Sequence, residues 1–248
     1  MGTNDHRPLA LPALGPGQPR CLDCTIRLQA VCSHADSAEL AELERIKRYR
    51  SYAPGQVIAS AGEEPALVGS VVEGIAQLAT LLPDGRRQMV GLLFPSDFIG
   101  RPGRSRIGYD IAAVTPVTLC TFRNPDFERL LRRHPALERR LLEMTLDELD
   151  GAREWMLLLG RKTAREKLAS LLMMMARRDG ALVRRLPWDG QRVPLRLTRQ
   201  SIADYLGLTI ETVSRQFSAL RRDGLLDLRD QRAAVIRDAA RLAAETGD

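Results

Sequence analysis

Residues 197–226 read LTRQSIADYLGLTIETVSRQFSALRRDGLL. Thr198 stands where a hydroxyl can cap a helix, and Ile202, Tyr205 and Leu206 then fall on one face of that helix. Gly207 follows, a residue that turns the chain sharply at no steric cost. Thr209 can cap a second helix on which Val213, Phe217 and Leu220 point inward, leaving Glu211, Thr212, Ser214, Arg215 and Ser218 outward. Two capped helices joined by a glycine turn have the layout of a helix-turn-helix whose second helix enters a groove.

The outward residues cluster at the N-terminal end of the second helix, the end that meets base edges. Arg215 can fork onto guanine, Glu211 can accept from a cytosine amino group, and Ser214 serves either less selectively. Thr198, Arg199, Thr209 and Ile210 complete the set expected to face double-stranded DNA. After Gly224, Leu225–Leu228 and Ala233–Ile236 are β-prone runs joined by Arg229-Asp230-Gln231-Arg232, a hairpin whose arginines suit phosphate contact as a wing. An ordinary helical hairpin would need neither the polar N-terminal face nor the wing. From Arg153 to Arg222 basic residues outnumber acidic ones, which favours a polyanionic partner.

Working upstream, Thr163–Arg178 reads as a helix, and its Met173-Met174-Met175 run points in three directions, so core filling explains it better than a soft-metal site. Before it lies a longer helix, from about Pro135 to Leu159. Along it Leu141, Thr145, Leu149, Ala152, Met156 and Leu159 step by fours and threes, a narrow seam suited to a partner helix and hence to a homodimer. Leu142, Leu146 and Leu157 form a second stripe that could instead pack on the chain's own barrel, so that one stripe faces inward and the other a partner. Asn124-Pro125-Asp126 opens a shorter helix ahead of it.

Between Ser51 and Arg123, β-rich runs at Gly69–Val72, Ile75–Leu82 and Gln88–Phe94 are punctuated by glycines, the rhythm of an antiparallel sandwich or jelly roll. Ser37–Arg50 predicts a short helix entering this region, with its start at Ser37. The first twenty residues, rich in Pro and Gly, predict a flexible tail.

With 248 residues the length suits two domains, and an apolar fraction of 44% beside 27% charged residues is that of a globular protein. No apolar run approaches a membrane span and no export signal is visible, so a cytoplasmic protein without membrane association is expected. The net charge is +6. No Walker, Rossmann or nucleophile-elbow motif occurs, which argues against an enzyme. His6, His34 and His134 have no mutual metal-ligand spacing, although His34 lies close to Cys32.

The four cysteines are Cys21, Cys24, Cys32 and Cys120. In a reducing compartment they do not read as disulfides. Four thiolates suit tetrahedral zinc and a four-iron cluster equally well, and their spacing leaves that choice open.

The whole pattern resembles the FNR (fumarate and nitrate reduction regulator) branch of the CRP/FNR transcription factors. The resemblance covers about residues 21–237 and rests on CLDC with Cys32, the lone Cys120, WMLLLGRKTAREKLA and LTRQSIADYLGLTIETVSR. It implies an α+β fold with a jelly-roll, cyclic-nucleotide-binding-like β-barrel sensor domain, a long dimerisation helix and a C-terminal winged helix-turn-helix. The corresponding segments are 1–20 (tail), 21–134 (cluster loop and barrel), 135–160 (dimerisation helix) and 161–248 (DNA-binding domain). It further implies that Cys21, Cys24, Cys32 and Cys120 hold an oxygen-labile [4Fe–4S] cluster, that the clustered form is the DNA-binding homodimer, and that oxygen reverses both. Glu211, Ser214 and Arg215 match the family's recognition residues, and Ile210 the FNR-type apolar place, so a TTGAT-like inverted repeat is implied. Asp147, Glu148 and Asp150 would repel across a weakened dimer interface.

An activator of this kind contacts RNA polymerase, and Pro83-Asp84-Gly85-Arg86 is a turn in the region such regulators use. The sister branch binds cyclic nucleotide through an acidic residue and an Arg-Ser pair. Arg104-Ser105 is present here, but 100–108 reads GRPGRSRIG with no acidic residue, so no cyclic nucleotide is expected. Two departures stand out: the gap between Cys24 and Cys32 is longer than in the best-known members, and Ala152 replaces a commonly acidic residue.

Overall fold

The computed structural model describes residues 20–81, 83–84, 87–181, 188–229 and 233–248. The expected tail therefore lies outside the described residues, as do Gly85 and Arg86 of the 83–86 turn and the tip of the wing at 230–232. The chain divides into two compact units, one running up to Ala76 and including Leu93–Leu142, the other made of Gln77–Leu92 and Glu143–Asp248. The division falls inside the long helix, which the sequence reading sets apart as 135–160.

In the first unit, a 3-10 turn at Cys21–Asp23 precedes α1 (Ser37–Ile46). The cap of α1 is Asp36, one residue ahead of the expected Ser37: the Asp36 carboxylate accepts from Glu39 N–H at 2.8 Å, while Glu39 accepts from Asp36 N–H at 2.8 Å. The helix stops at Ile46, short of the expected Arg50, because β1 (Arg48–Tyr52) buries Tyr49 and Tyr52 and pairs with a distant strand. The following strands are β2 (Val57–Ala59), β3 (Leu67–Glu73), β4 (Ala76–Leu81), β5 (Arg87–Leu93), β6 (Phe98–Ile99), β7 (Asp110–Ala113) and β8 (Val117–Arg123). One sheet has the order β1-β8-β3-β6, and β2 pairs antiparallel with β7. Such non-sequential neighbours are the crossovers of a jelly roll. The first sheet ends at β1 and β6, so the arrangement is jelly-roll-like without closing into one continuous barrel.

Strand β8 lies between β1 and β3, with Cys120 opposite Tyr49 on one side and Ser70 on the other. Gly69 permits this: a Cβ there would lie 2.2 Å from the Cys120 carbonyl oxygen. Directly after β8 comes α2 (Asn124–Arg133), whose fully buried Phe127 packs on Phe122 and Phe98 at ring separations of 5.3 and 5.6 Å.

Then α3 (Pro135–Arg161) runs from the first unit into the second. The second unit continues with α4 (Ala164–Ala181), β9 (Arg192–Pro194), α5 (Arg199–Leu206), α6 (Ile210–Arg222), β10 (Leu226–Arg229), β11 (Ala233–Ile236) and α7 (Ala239–Ala244). The face of α4 with Leu168, Leu171, Leu172 and Ala176 is buried, and Met173 and Met175 are buried beside it. Among the described residues no helix is long and apolar enough to cross a membrane.

Two alanine variants separate two kinds of glycine. Gly207→Ala should cost only the left-handed strain at φ 62°, about 1–2 kcal/mol, since its Cβ would meet Leu159 at an ordinary 3.8 Å. Gly69→Ala must push two strands apart and should cost ~3 kcal/mol or more by thermal or denaturant unfolding. Equal losses would show that the β3–β8 approach is not a constraint.

Candidate DNA interface and cysteine site

The two helices of the 197–226 stretch form as their caps dictate. Thr198 Oγ1 accepts from Ser201 N–H at 3.0 Å to start α5, and Thr209 Oγ1 accepts from Thr212 N–H at 3.2 Å to start α6. Between them Gly207 is left-handed, with φ 62° and ψ 43°. Ile202, Leu206, Val213, Phe217 and Leu220 are fully buried, and Tyr205 packs on Trp155 of α3 with ring centroids 5.7 Å apart. The other face of α6 carries exposed Ile210, Glu211, Ser214, Arg215 and Ser218. Arg215 lies back along the helix, donating to Thr212 Oγ1 at 3.4 Å. Arg199 is placed differently from the rest of the expected set: its guanidinium stacks 3.4 Å over the Phe217 ring, holding α5 on α6.

Strands β10 and β11 pair antiparallel as the expected wing, and β9, which the sequence reading missed, pairs with β11 to make a three-stranded sheet. Arg165 of α4, also missed, ties this unit together: it donates to Glu245 at 2.6 and 2.8 Å and to Asp223, just after α6, at 2.7 Å.

The four cysteines are all free and all belong to the first unit. The backbone N–H of Cys21 donates to Glu44 at 2.7 Å, and Lys47 Nζ lies 3.7 Å from Cys21 Sγ. Tyr49 lies within electrostatic reach of Cys120, Cys24 and Cys21. Cys120, delivered from β8, feels Cys21, Cys32 and Cys24 alike. Burial pushes the Cys21 thiol up to about 12, helped by Glu44, and burial likewise raises Cys32 and Cys120. These three therefore stand as neutral thiols near neutral pH, and any metal group taken up here must displace their protons. Glu44 moves the other way, to about 2: burial opposes the shift, but hydrogen bonds from Lys47 and from Cys21 outweigh it. Glu44, Lys47 and Tyr49 were invisible as site residues in the sequence, where they read only as helix and strand positions.

Among the described residues no three of His, Cys, Asp or Glu are grouped so as to hold a single metal ion. A zinc ion with bonds of about 2.3 Å needs its sulfurs almost in contact. Four cysteine thiols within electrostatic reach of one another are, by their chemistry, the donor set that a [4Fe–4S] cubane takes.

The loop between Cys24 and Cys32 is tied to the start of α3. Arg140 donates to the Gln29 carbonyl at 2.7 Å. Close by, Arg133 reaches Glu42, and His134 lies 3.2 Å from Glu39 and 3.4 Å from Glu42. Along α3, every residue from Thr145 to Glu154 is exposed. Of the expected seam, Thr145, Leu149, Ala152 and Met156 are exposed, while Leu141 and Leu159 are half-buried. In the second stripe, Leu142, Leu146 and Leu157 are 58%, 52% and 54% exposed. Both apolar stripes face outward.

Within the first unit, Tyr52, Ile58, Val68, Ile99, Ile107 and Leu119 help line a cavity of about 100 Å³. Ligand sites of drug size occupy roughly 300–1,000 Å³. Arg104 and Ser105 are exposed.

A capped helix-turn-helix with a polar recognition face and a winged sheet, on a chain that also carries a jelly-roll-like domain, defines a DNA-binding transcription regulator. The Crp-like helix-turn-helix domain matches residues 166–245 and the cyclic nucleotide-binding domain matches residues 49–134. The chain is 58% identical to the transcriptional activator protein FnrL of Cereibacter sphaeroides, over 92% of each chain. It is 43% identical to the nitrogen fixation regulation protein FixK of Bradyrhizobium diazoefficiens, over 83% of this chain and 85% of that one. The solved structure of FixK2 from Bradyrhizobium japonicum superposes with a TM-score of 0.72 at 34% identity, covering 80% of this chain and 96% of that one. This chain belongs to the CRP/FNR family of transcription regulators, in its FNR-type branch, and like its relatives it is not an enzyme.

Two substitutions on α6 separate fold from readout. Phe217→Ala should cost about 3–5 kcal/mol and unfold the DNA-binding unit. Arg215→Ala should leave the melting curve unchanged and weaken specific binding by about 1–3 kcal/mol in a fluorescence-anisotropy titration.

Proposed function

We propose that this regulator responds to oxygen through a [4Fe–4S] cluster held by Cys21, Cys24, Cys32 and Cys120. The observation that carries the reading is the meeting of Cys120, fixed by its strand register, with three cysteines from the start of the chain in one electrostatic neighbourhood. When bound, a cluster supplies an oxygen-labile crosslink between the 21–32 loop and β8.

The remaining steps belong to the protein. Arg140 holds the loop's Gln29 carbonyl, so the order of the loop bears on where α3 begins. The exposed leucine and methionine side chains of α3 give a second copy an apolar seam, while Asp147, Glu148 and Asp150 oppose pairing unless the helices are held in register. In the homodimer the two α6 helices enter successive major grooves about 34–36 Å apart on a palindrome of TTGAT type. Glu211, Ser214 and Arg215 read bases there, Thr198 and Thr209 sit at helix starts near phosphate, and RNA polymerase is the further partner of an activator. The protein acts in the cytoplasm.

Purified without air, the chain should carry about four iron and four sulfide, bind the palindrome, and lose both colour and binding when air is admitted. Stoichiometric zinc with air-indifferent binding would leave a DNA-binding regulator with a different signal. Cys24→Ser should abolish iron retention with the helix-turn-helix still folded. Arg140→Ala should keep its iron but raise the dimer dissociation constant several-fold in sedimentation experiments. An unchanged constant would show that the loop does not reach the dimer through Arg140.

A further inference from the structure

Lys47 is a buried cation that neither the DNA interface nor the ligand set uses. It follows α1 directly, donating its backbone N–H to Leu43 O at 2.9 Å, and its side chain is only 5% exposed. Lysine stems usually bury along apolar surface while the ammonium reaches water. Here the order is reversed, because its partner Glu44, 2.8 Å away, is the more exposed member at 39%. The ammonium points inward, 3.7 Å from Cys21 Sγ and 5.5 Å from the centre of the Tyr49 ring. Glu44 completes the arrangement by accepting the Cys21 backbone N–H at 2.7 Å. Another charged group near the thiols is Arg27, within electrostatic reach of Cys32.

We infer that Lys47 is a positioning residue for the cluster: it donates to the Cys21 sulfur and places one positive charge against a thiolate-rich group, setting the cluster's reduction potential. Glu44 partly offsets that charge and orients it. The inference rests on the iron–sulfur reading above. Its physical basis is that such potentials follow net charge, hydrogen bonds to the ligand sulfurs and solvent exposure. A cation on a sulfur stabilises the more negative, reduced form and raises the potential. A carboxylate beside that cation does the reverse. Lys47 and Glu44 therefore act with opposite sign, which a purely structural ion pair would not do, since breaking it from either side has the same effect.

The test uses the full chain, purified anaerobically as wild type, Lys47→Gln, Lys47→Arg and Glu44→Gln. Iron and sulfide are measured first, and the midpoint potential is then read from absorbance in a mediated titration. The expected result is a more negative midpoint for Lys47→Gln, a more positive one for Glu44→Gln, and near-wild-type behaviour for Lys47→Arg. If Lys47→Gln fails to fold or to hold iron, the direction of the Glu44→Gln shift and the Lys47→Arg rescue decide. Shifts of the same sign, or no shift with four irons retained, would overturn the role of Lys47 while leaving the cluster reading intact. Wild-type protein without iron would overturn the cluster reading, and the role of Lys47 with it.

Discussion

The register of β8 is the constraint on which the first unit depends. Thr121 donates its hydroxyl to the Arg48 carbonyl at 2.8 Å on one side, and Gly69 presses on the Cys120 carbonyl on the other. A slip of one residue would turn Cys120 to the opposite face, away from the three cysteines that precede α1. The same strand leads without a break into α2, where Phe127 fixes the approach to α3. Placing a cysteine and placing a helix are thus one structural act.

The second unit rests on shorter-range devices. Two threonine caps and one left-handed glycine define α5 and α6, and stacking of Arg199 on Phe217 locks one against the other. Longer reach comes from Arg165, whose hydrogen bonds with Glu245 and Asp223 hold its charge firmly on. Because those contacts bear the load, the outward face of α6 is left to polar side chains that the fold does not need.

What was legible in the sequence follows from range. The helix-turn-helix could be read almost residue by residue because caps, turn glycine and apolar periodicity all lie within thirty residues of one another. Strand runs at 69–72, 75–82 and 88–94 were visible for the same reason, whereas β9 was not: Arg192–Pro194 has no pattern of its own and becomes a strand only against β11. The α1 boundary was misplaced because Asp36 outcompetes Ser37 as cap and because Tyr49 and Tyr52 gain more from pairing with β8 than from another helical turn. For α3, periodicity identified two apolar stripes but not their directions, since burial depends on what the rest of the chain places nearby. The cysteines could be picked out by type and their meeting by resemblance alone, while Lys47, Glu44 and Arg140 became visible only in three dimensions.

The C-terminal residues have a practical consequence. Asp248 pairs with Lys162, whose Nζ also donates to Ser170 at 3.0 Å, and a methyl on Gly247 would come within 2.8 Å of Glu166. Glu245 belongs to Arg165. Substitutions at Glu245, Gly247 or Asp248 therefore act on a crowded, charge-paired corner at the root of α4, the helix under the DNA-reading pair. A change made there, far in sequence from the capped helices, will still be felt by them.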